Sequence, residues 1–223
     1  MRTTSIDGPS GEIPLLLNEA DGARAAAILA HGAGGGMRSE FMEFVTGSLV
    51  AGGVNVWRFE FPYMAAGRRS PDRTPVLEET WRSVIDHLRP ITEVAMFAGG
   101  KSMGGRIASQ VVAGGTDVDG LVFLGYPLHP PGKPERLRAD HLAAIRAPML
   151  FVEGTRDPFC PLATLEKVLD GLSAQTDLVV ISDGDHSYRV RKSSGRSTAD
   201  AWSEVAGAVR DWIIRVGSNR TEA

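Results

Sequence analysis

The sequence predicts an α/β fold: a mostly parallel sheet with helices on both faces. Three observations predict it. Short apolar runs alternate with stripes of helical period along the chain. Glycine-rich or polar turns punctuate the runs. The chain has 223 residues, of which 43% are hydrophobic. That is enough for one sizeable core, so a single domain over residues 1–223 is expected.

The elements follow in order. Thr4 to Asn18 reads as a strand pair turning at Gly8-Pro9-Ser10-Gly11. Ala25 to Ala30 is a strand ending in His31-Gly32. Phe41, Val45 and Leu49 mark a helix closed by Gly52-Gly53, and Val54 to Phe61 is the next strand. Leu77, Trp81, Val84, Ile85 and Leu88 form an amphipathic stripe, with Thr74 as N-cap and Pro75 as first helical residue. Glu93 to Gly99 is apolar enough for a buried strand, and Met103, Ile107 and Val111 then lie on one helical stripe. Leu121 to Tyr126 and Met149 to Glu153 are two further buried strands, joined by a Pro-rich loop and a small helix around Leu137 to Ile145. This connection is too short to hold a substantial further domain. Leu162, Leu165, Val168 and Leu169 make a helix, Leu178 to Ile181 the last strand, and Trp202 to Ile213 the C-terminal helix.

The chemistry gathers at the turns after strands, where sites lie in such sheets. Gly100-Lys101-Ser102-Met103-Gly104 fits Gly-x-Ser-x-Gly between a strand and a helix. That is the setting of a nucleophile elbow, whose glycines let helix and strand approach and whose serine is held in a strained, exposed turn. A serine hydroxyl needs a base, and the base needs an orienting acid. Asp157 follows the strand Met149 to Glu153 and His186 the strand Leu178 to Ile181, in the order serine, acid, histidine. His31-Gly32-Ala33-Gly34-Gly35-Gly36 lies after the first long strand. Its Ala33 N–H, with that of Met103, is the expected oxyanion hole.

With these motifs the chain resembles the α/β-hydrolase family over essentially its whole length. The strings Gly99 to Arg106 and Gly125 to Pro134 resemble a small lidless branch related to the NSL-complex regulatory subunit and testis-expressed hydrolase-like proteins. That branch neighbours the dienelactone hydrolases, which carry cysteine where this chain has Ser102. The resemblance implies serine hydrolase chemistry but no known substrate; the short connection before Met149 and the few aromatic pocket candidates point instead to a shallow site for small carboxylester or thioester substrates, with no cofactor or metal required. A catalytically idle protein-binding scaffold and an acyltransferase using the same three residues are the alternative readings.

Composition limits the partners. The net charge is −3 with no long single-sign run, which argues against a nucleic-acid surface. No stretch is long enough to span a membrane. The first residues lack the apolar core of a secretory signal, and the one cysteine, Cys160, forbids an internal disulfide. The expectation is a soluble, cytoplasmic protein acting on a small molecule; no protein partner is indicated.

Other residues carry two readings each. Phe61, Tyr63, His129 and Phe159 are candidate pocket walls of a shallow site, with a structural role as the alternative for His129. Asp157 could cap the following helix. Asp183-Gly184-Asp185-His186 could be a metal cluster, but no other group has matching spacing. His31 is expected to bond within its own loop, His87 and His141 to lie on the surface, and Lys101 to point away from substrate. Arg58 and Glu60, charged in an apolar strand, read as an internal ion pair or as site residues. Cys160 reads as inert.

Overall fold

The structure is a computed structural model that describes residues 1–220. The strands are β1 (Arg2–Gly8), β2 (Gly11–Asn18), β3 (Ala25–Ala30), β4 (Val54–Phe59), β5 (Ala95–Lys101), β6 (Gly120–Leu124), β7 (Met149–Gly154) and β8 (Thr176–Ile181). The helices are α1 (Glu40–Ala51), α2 (Pro62–Ala65), α3 (Thr74–Leu88), α4 (Met103–Ala113), α5 (Leu162–Leu169) and α6 (Thr198–Arg220). Together the strands form one sheet in the order β1-β2-β4-β3-β5-β6-β7-β8. β1, β2 and β4 pair antiparallel, and every pairing from β4 to β8 is parallel.

Period-two alternation buries both faces of the central strands. In β3, Ile28 and Ala30 join one apolar cluster with Trp81 of α3 and Ile107 of α4, while Ala25, Ala27 and Leu29 join the other with Val45 of α1 and Val209 of α6. β3 lies between β4 and β5. Its outgoing loop leads to α1 on one face, whereas the loop after β5 leads to α4 on the other. The chain therefore diverges at the carboxyl ends of β3 and β5, which opens a crevice at this switch point.

The glycines flanking Ser102 permit this geometry. A Cβ on Gly100 would lie 2.1 Å from the Ala30 carbonyl oxygen, and one on Gly104 would lie 2.5 Å from it. Both contacts are with backbone, which has nowhere to go. Trp81 ties α3 to the same helix start by donating its indole N–H to the Gly104 carbonyl at 3.1 Å.

Three local expectations differ from the structure. β4 stops at Phe59, and Pro62 then starts the one-turn helix α2, with Phe61 extended before it. Pro at a first helical position needs no N–H partner, so the bend costs little there. Thr74 is inside α3 and Arg73 precedes it, with no side-chain cap. The connection between β6 and β7 holds only a 3-10 turn, Asp140–Ala144.

Candidate active site

Three strand ends bring Ser102, Asp157 and His186 together. The Ser102 hydroxyl donates to His186 Nε2 at 2.8 Å, and His186 Nδ1–H donates to Asp157 Oδ2 at 2.5 Å. Ser102 sits at φ 51°, ψ −114°, a conformation that costs a non-glycine residue about 1–3 kcal/mol and persists only where its surroundings impose it. They do so here: Ser102 N–H donates to the Leu124 carbonyl at 3.0 Å, and α4 begins at the next residue. The Asp157 side chain is fully buried and that of His186 is 21% exposed. Asp157 does not cap α5. Its second oxygen accepts the Phe159 N–H at 2.8 Å, and the Phe159 ring meets the imidazole edge-on at 4.7 Å.

The loop that carries His186 is braced. Asp185 Oδ1 accepts the N–H groups of Ser187 and Arg189 at 2.8 and 2.9 Å. Buried Tyr188 donates its hydroxyl to the Val152 carbonyl of β7 at 2.8 Å. The carboxylates read as a candidate metal cluster are occupied otherwise, since Asp183 binds the Arg191 backbone and side chain.

The loop after β3 is fastened from behind. His31 is fully buried, and burial pushes its pKa down. Its neutral ring donates from Nδ1 to the Gly32 carbonyl at 2.8 Å and accepts the Phe61 N–H at Nε2 at 3.1 Å. Tyr63 donates its hydroxyl to the Ala33 carbonyl at 2.9 Å, which fixes the peptide that follows Ala33. Glu60 accepts the Met37 N–H at 2.8 Å. Arg58 does not pair with Glu60; it binds Glu43 and the Met37 carbonyl, both at 2.7 Å.

Ala33 and Met103 both border a cleft of about 760 Å³ in front of Ser102. Met103 opens α4, so its N–H has no carbonyl one turn earlier to bond. His129 and Phe159 line the same cleft, and His129 Nδ1 bonds the Pro130 carbonyl at 2.9 Å. Phe61 and Tyr63 do not line it. Both are fully buried, because α2 turns them under the β3 loop, where they support the loop and do not touch the cleft.

Two buried groups escaped the sequence reading. Lys101, expected to point away from substrate, borders the cleft with part of its chain but turns its tip inward. Its ammonium is buried without a hydrogen-bond partner, 5.5 Å from the centre of the Tyr188 ring. Burial pulls its pKa from 10.5 to about 8, against the opposing pull of Asp157, Glu153 and Asp185. Glu153, fully buried at the end of β7, is pushed well up by burial while accepting the Tyr126 N–H at 2.5 Å. A glutamate ending an apolar strand was the available signal. His141 is part-buried, bonded to the Ser109 hydroxyl at 2.8 Å, and burial pushes the Cys160 thiol up, which suits an inert role.

Residues 23–214 match the family described as the alpha/beta hydrolase domain. The chain belongs to the α/β-hydrolase family. Solved structures agree on the fold. A dienelactone hydrolase from Anabaena variabilis superposes with a TM-score of 0.77 at 21% identity, covering 96% of each chain. A serine hydrolase without lid from Xanthomonas campestris gives 0.75 at 20%, covering 95% of this chain and 94% of the other. A serine hydrolase homologue from Coxiella burnetii gives 0.73 at 19%, covering 96% of each. The α/β-hydrolase sheet is thus present in its lidless form. Among the described residues, no helix is long and apolar enough to cross a membrane.

Proposed function

We propose that this α/β-hydrolase cleaves small carboxylester or thioester bonds through an acyl-enzyme on Ser102. The observation that carries this reading is the unbroken chain of hydrogen bonds from Ser102 through His186 to Asp157, at the mouth of a cleft and at a strained turn. His186 takes the Ser102 proton as the hydroxyl oxygen attacks the carbonyl carbon. Asp157 holds the tautomer with the proton on Nδ1 and stabilises the imidazolium that forms. The N–H groups of Ala33 and Met103 receive the developing oxyanion. His186 returns the proton to the leaving group, whose bond to the carbonyl carbon breaks. A water molecule, deprotonated by His186, then releases the acid and restores Ser102. The turn around Ser102 is, on this reading, a nucleophile elbow. The finer kinship, beside the NSL-complex regulatory subunit branch, rests on the strings Gly99 to Arg106 and Gly125 to Pro134.

The test is hydrolysis of short p-nitrophenyl esters by purified protein. Turnover in the wild type that is absent from Ser102→Ala supports the assignment; equal turnover in both refutes it.

A further inference from the structure

The wall of the cleft beyond Ser102 carries cations without counterions. Arg106 lies one helical turn after Ser102 on α4, its N–H bonding the Ser102 carbonyl at 3.1 Å. It borders the same cleft as Arg138, from the loop between β6 and β7. Neither guanidinium has an ion pair among the described residues. Arg106 reaches only the Gln110 side-chain oxygen, at 2.9 Å, and its Nε is buried without a partner. Burial and then the charge of Arg138 pull the Arg106 guanidinium below its ordinary value, and it stays charged regardless.

No carboxylate bordering the cleft forms an ion pair with either arginine among the described residues, although Asp72 keeps one oxygen, Oδ2, buried without a hydrogen-bond partner. Glu78 pairs with Arg82 at 3.3 Å, and Asp72, on the cleft rim, pairs with Arg68 at 2.8 Å. Glu40, the other carboxylate on the cleft, stands in the first turn of α1. His141 beside Arg106 is held uncharged by burial and by that same cation.

The backbone of both arginines is also held in place. The Arg138 N–H donates to the Leu128 carbonyl, and its carbonyl accepts the hydroxyl of buried Tyr126, each at 2.8 Å. Ser109 bonds the Arg106 carbonyl at 2.7 Å. Keeping two like charges beside one cleft, one with an unsatisfied buried donor, costs stability in the empty protein. An anion arriving with the substrate would offset that cost.

We propose that Arg106 and Arg138 form an anion subsite of this cleft, and that the substrate carries a carboxylate or phosphate a few bonds from the carbonyl that Ser102 attacks. The subsite deepens the serine hydrolase reading and rests on it for the position of that carbonyl. A planar guanidinium fork matches either anion.

The experiment separates the two claims. Binding is measured calorimetrically on Ser102→Ala protein, which needs no turnover, with monoethyl glutarate, its neutral diethyl ester and ethyl 4-phosphonobutyrate. An anion should bind about tenfold or more tightly than the diethyl ester, as charge-assisted pairing implies. The tighter of the two anions names the terminus. The advantage should shrink about tenfold in Arg106→Gln and in Arg138→Gln, and Arg106→Lys should restore part of it. If a glutamine variant does not fold, the salt dependence of the anion's advantage in the Ser102→Ala protein replaces it: loss of that advantage at high salt supports the subsite. Equal binding of charged and neutral esters, or an advantage indifferent to both arginines, overturns the subsite. Anion binding without any ester turnover in the wild type would keep the subsite and sink the hydrolase reading.

Discussion

The two walls of the cleft are built on opposite principles. On the reactive wall, side chains find partners within the protein: Ser102 with His186, His186 with Asp157, and Asp157 with the Phe159 N–H, while Tyr63 holds the Ala33 carbonyl from behind. Elsewhere on the cleft, Arg106 and Arg138 have no counterion among the described residues. The side chains of the first wall are paired before substrate arrives, and the Met103 N–H beside them has no helical carbonyl to bond, which suits chemistry that depends on preorganised geometry. The second is unfinished, which suits recognition.

Breaking the reactive wall should produce the largest effect. Ser102→Ala or His186→Ala should lower kcat for a p-nitrophenyl ester by about 10⁴-fold or more. The melting temperature of Ser102→Ala should hold or rise as the strain at φ 51° relaxes. Circular dichroism melts alongside the kinetics check both parts.

Support behind that wall should matter less. Tyr63→Phe removes only the hydroxyl that holds the Ala33 carbonyl. We expect kcat to fall about tenfold with KM nearly unchanged, because the loop is needed most when the oxyanion forms. A loss confined to KM would place Tyr63 in ground-state binding instead.

Lys101 tests the boundary between the walls. Its pKa falls from 10.5 to about 8 through burial. Below pH 8 both folded and unfolded chains carry the proton, and folding bears the full cost of burying it. Between pH 8 and 10.5 the unfolded chain binds more protons, so stability rises with pH. Lys101→Met should therefore raise stability near neutral pH by up to about 3 kcal/mol and flatten that rise. Urea melts at pH 7 and 9.5 read it; an unchanged slope would contradict the buried ammonium.

The smallest effect concerns chain length. With no lid, the gain of about 0.8 kcal/mol per buried CH₂ should stop after a few carbons, so kcat/KM should peak near butyryl. A steady rise to palmitoyl would reveal a further apolar channel.

Much of this was legible in the sequence. β3 was delimited at Ala25–Ala30 because its apolar run is sharply bounded, and Ser102, Asp157 and His186 stood out because each follows a strand. What stayed hidden depended on how side chains turn in space. Phe61 and Tyr63 read as cleft walls because they follow a strand, yet Pro62 starts α2 and folds them under the loop. The run Phe-Pro-Tyr-Met did hold that signal. Lys101 occupies the variable position of its motif, and no periodicity says that its ammonium is buried beside Tyr188. The missing counterions of Arg106 and Arg138 are relations across the fold, invisible along the chain.

The most direct measurement of the central claim is covalent labelling of the native protein with a fluorophosphonate, followed by peptide mass spectrometry. The account predicts one adduct, on Ser102, lost in Ser102→Ala and strongly slowed in His186→Ala. No labelling of the folded wild type, or an adduct on another residue that persists in Ser102→Ala, would contradict it.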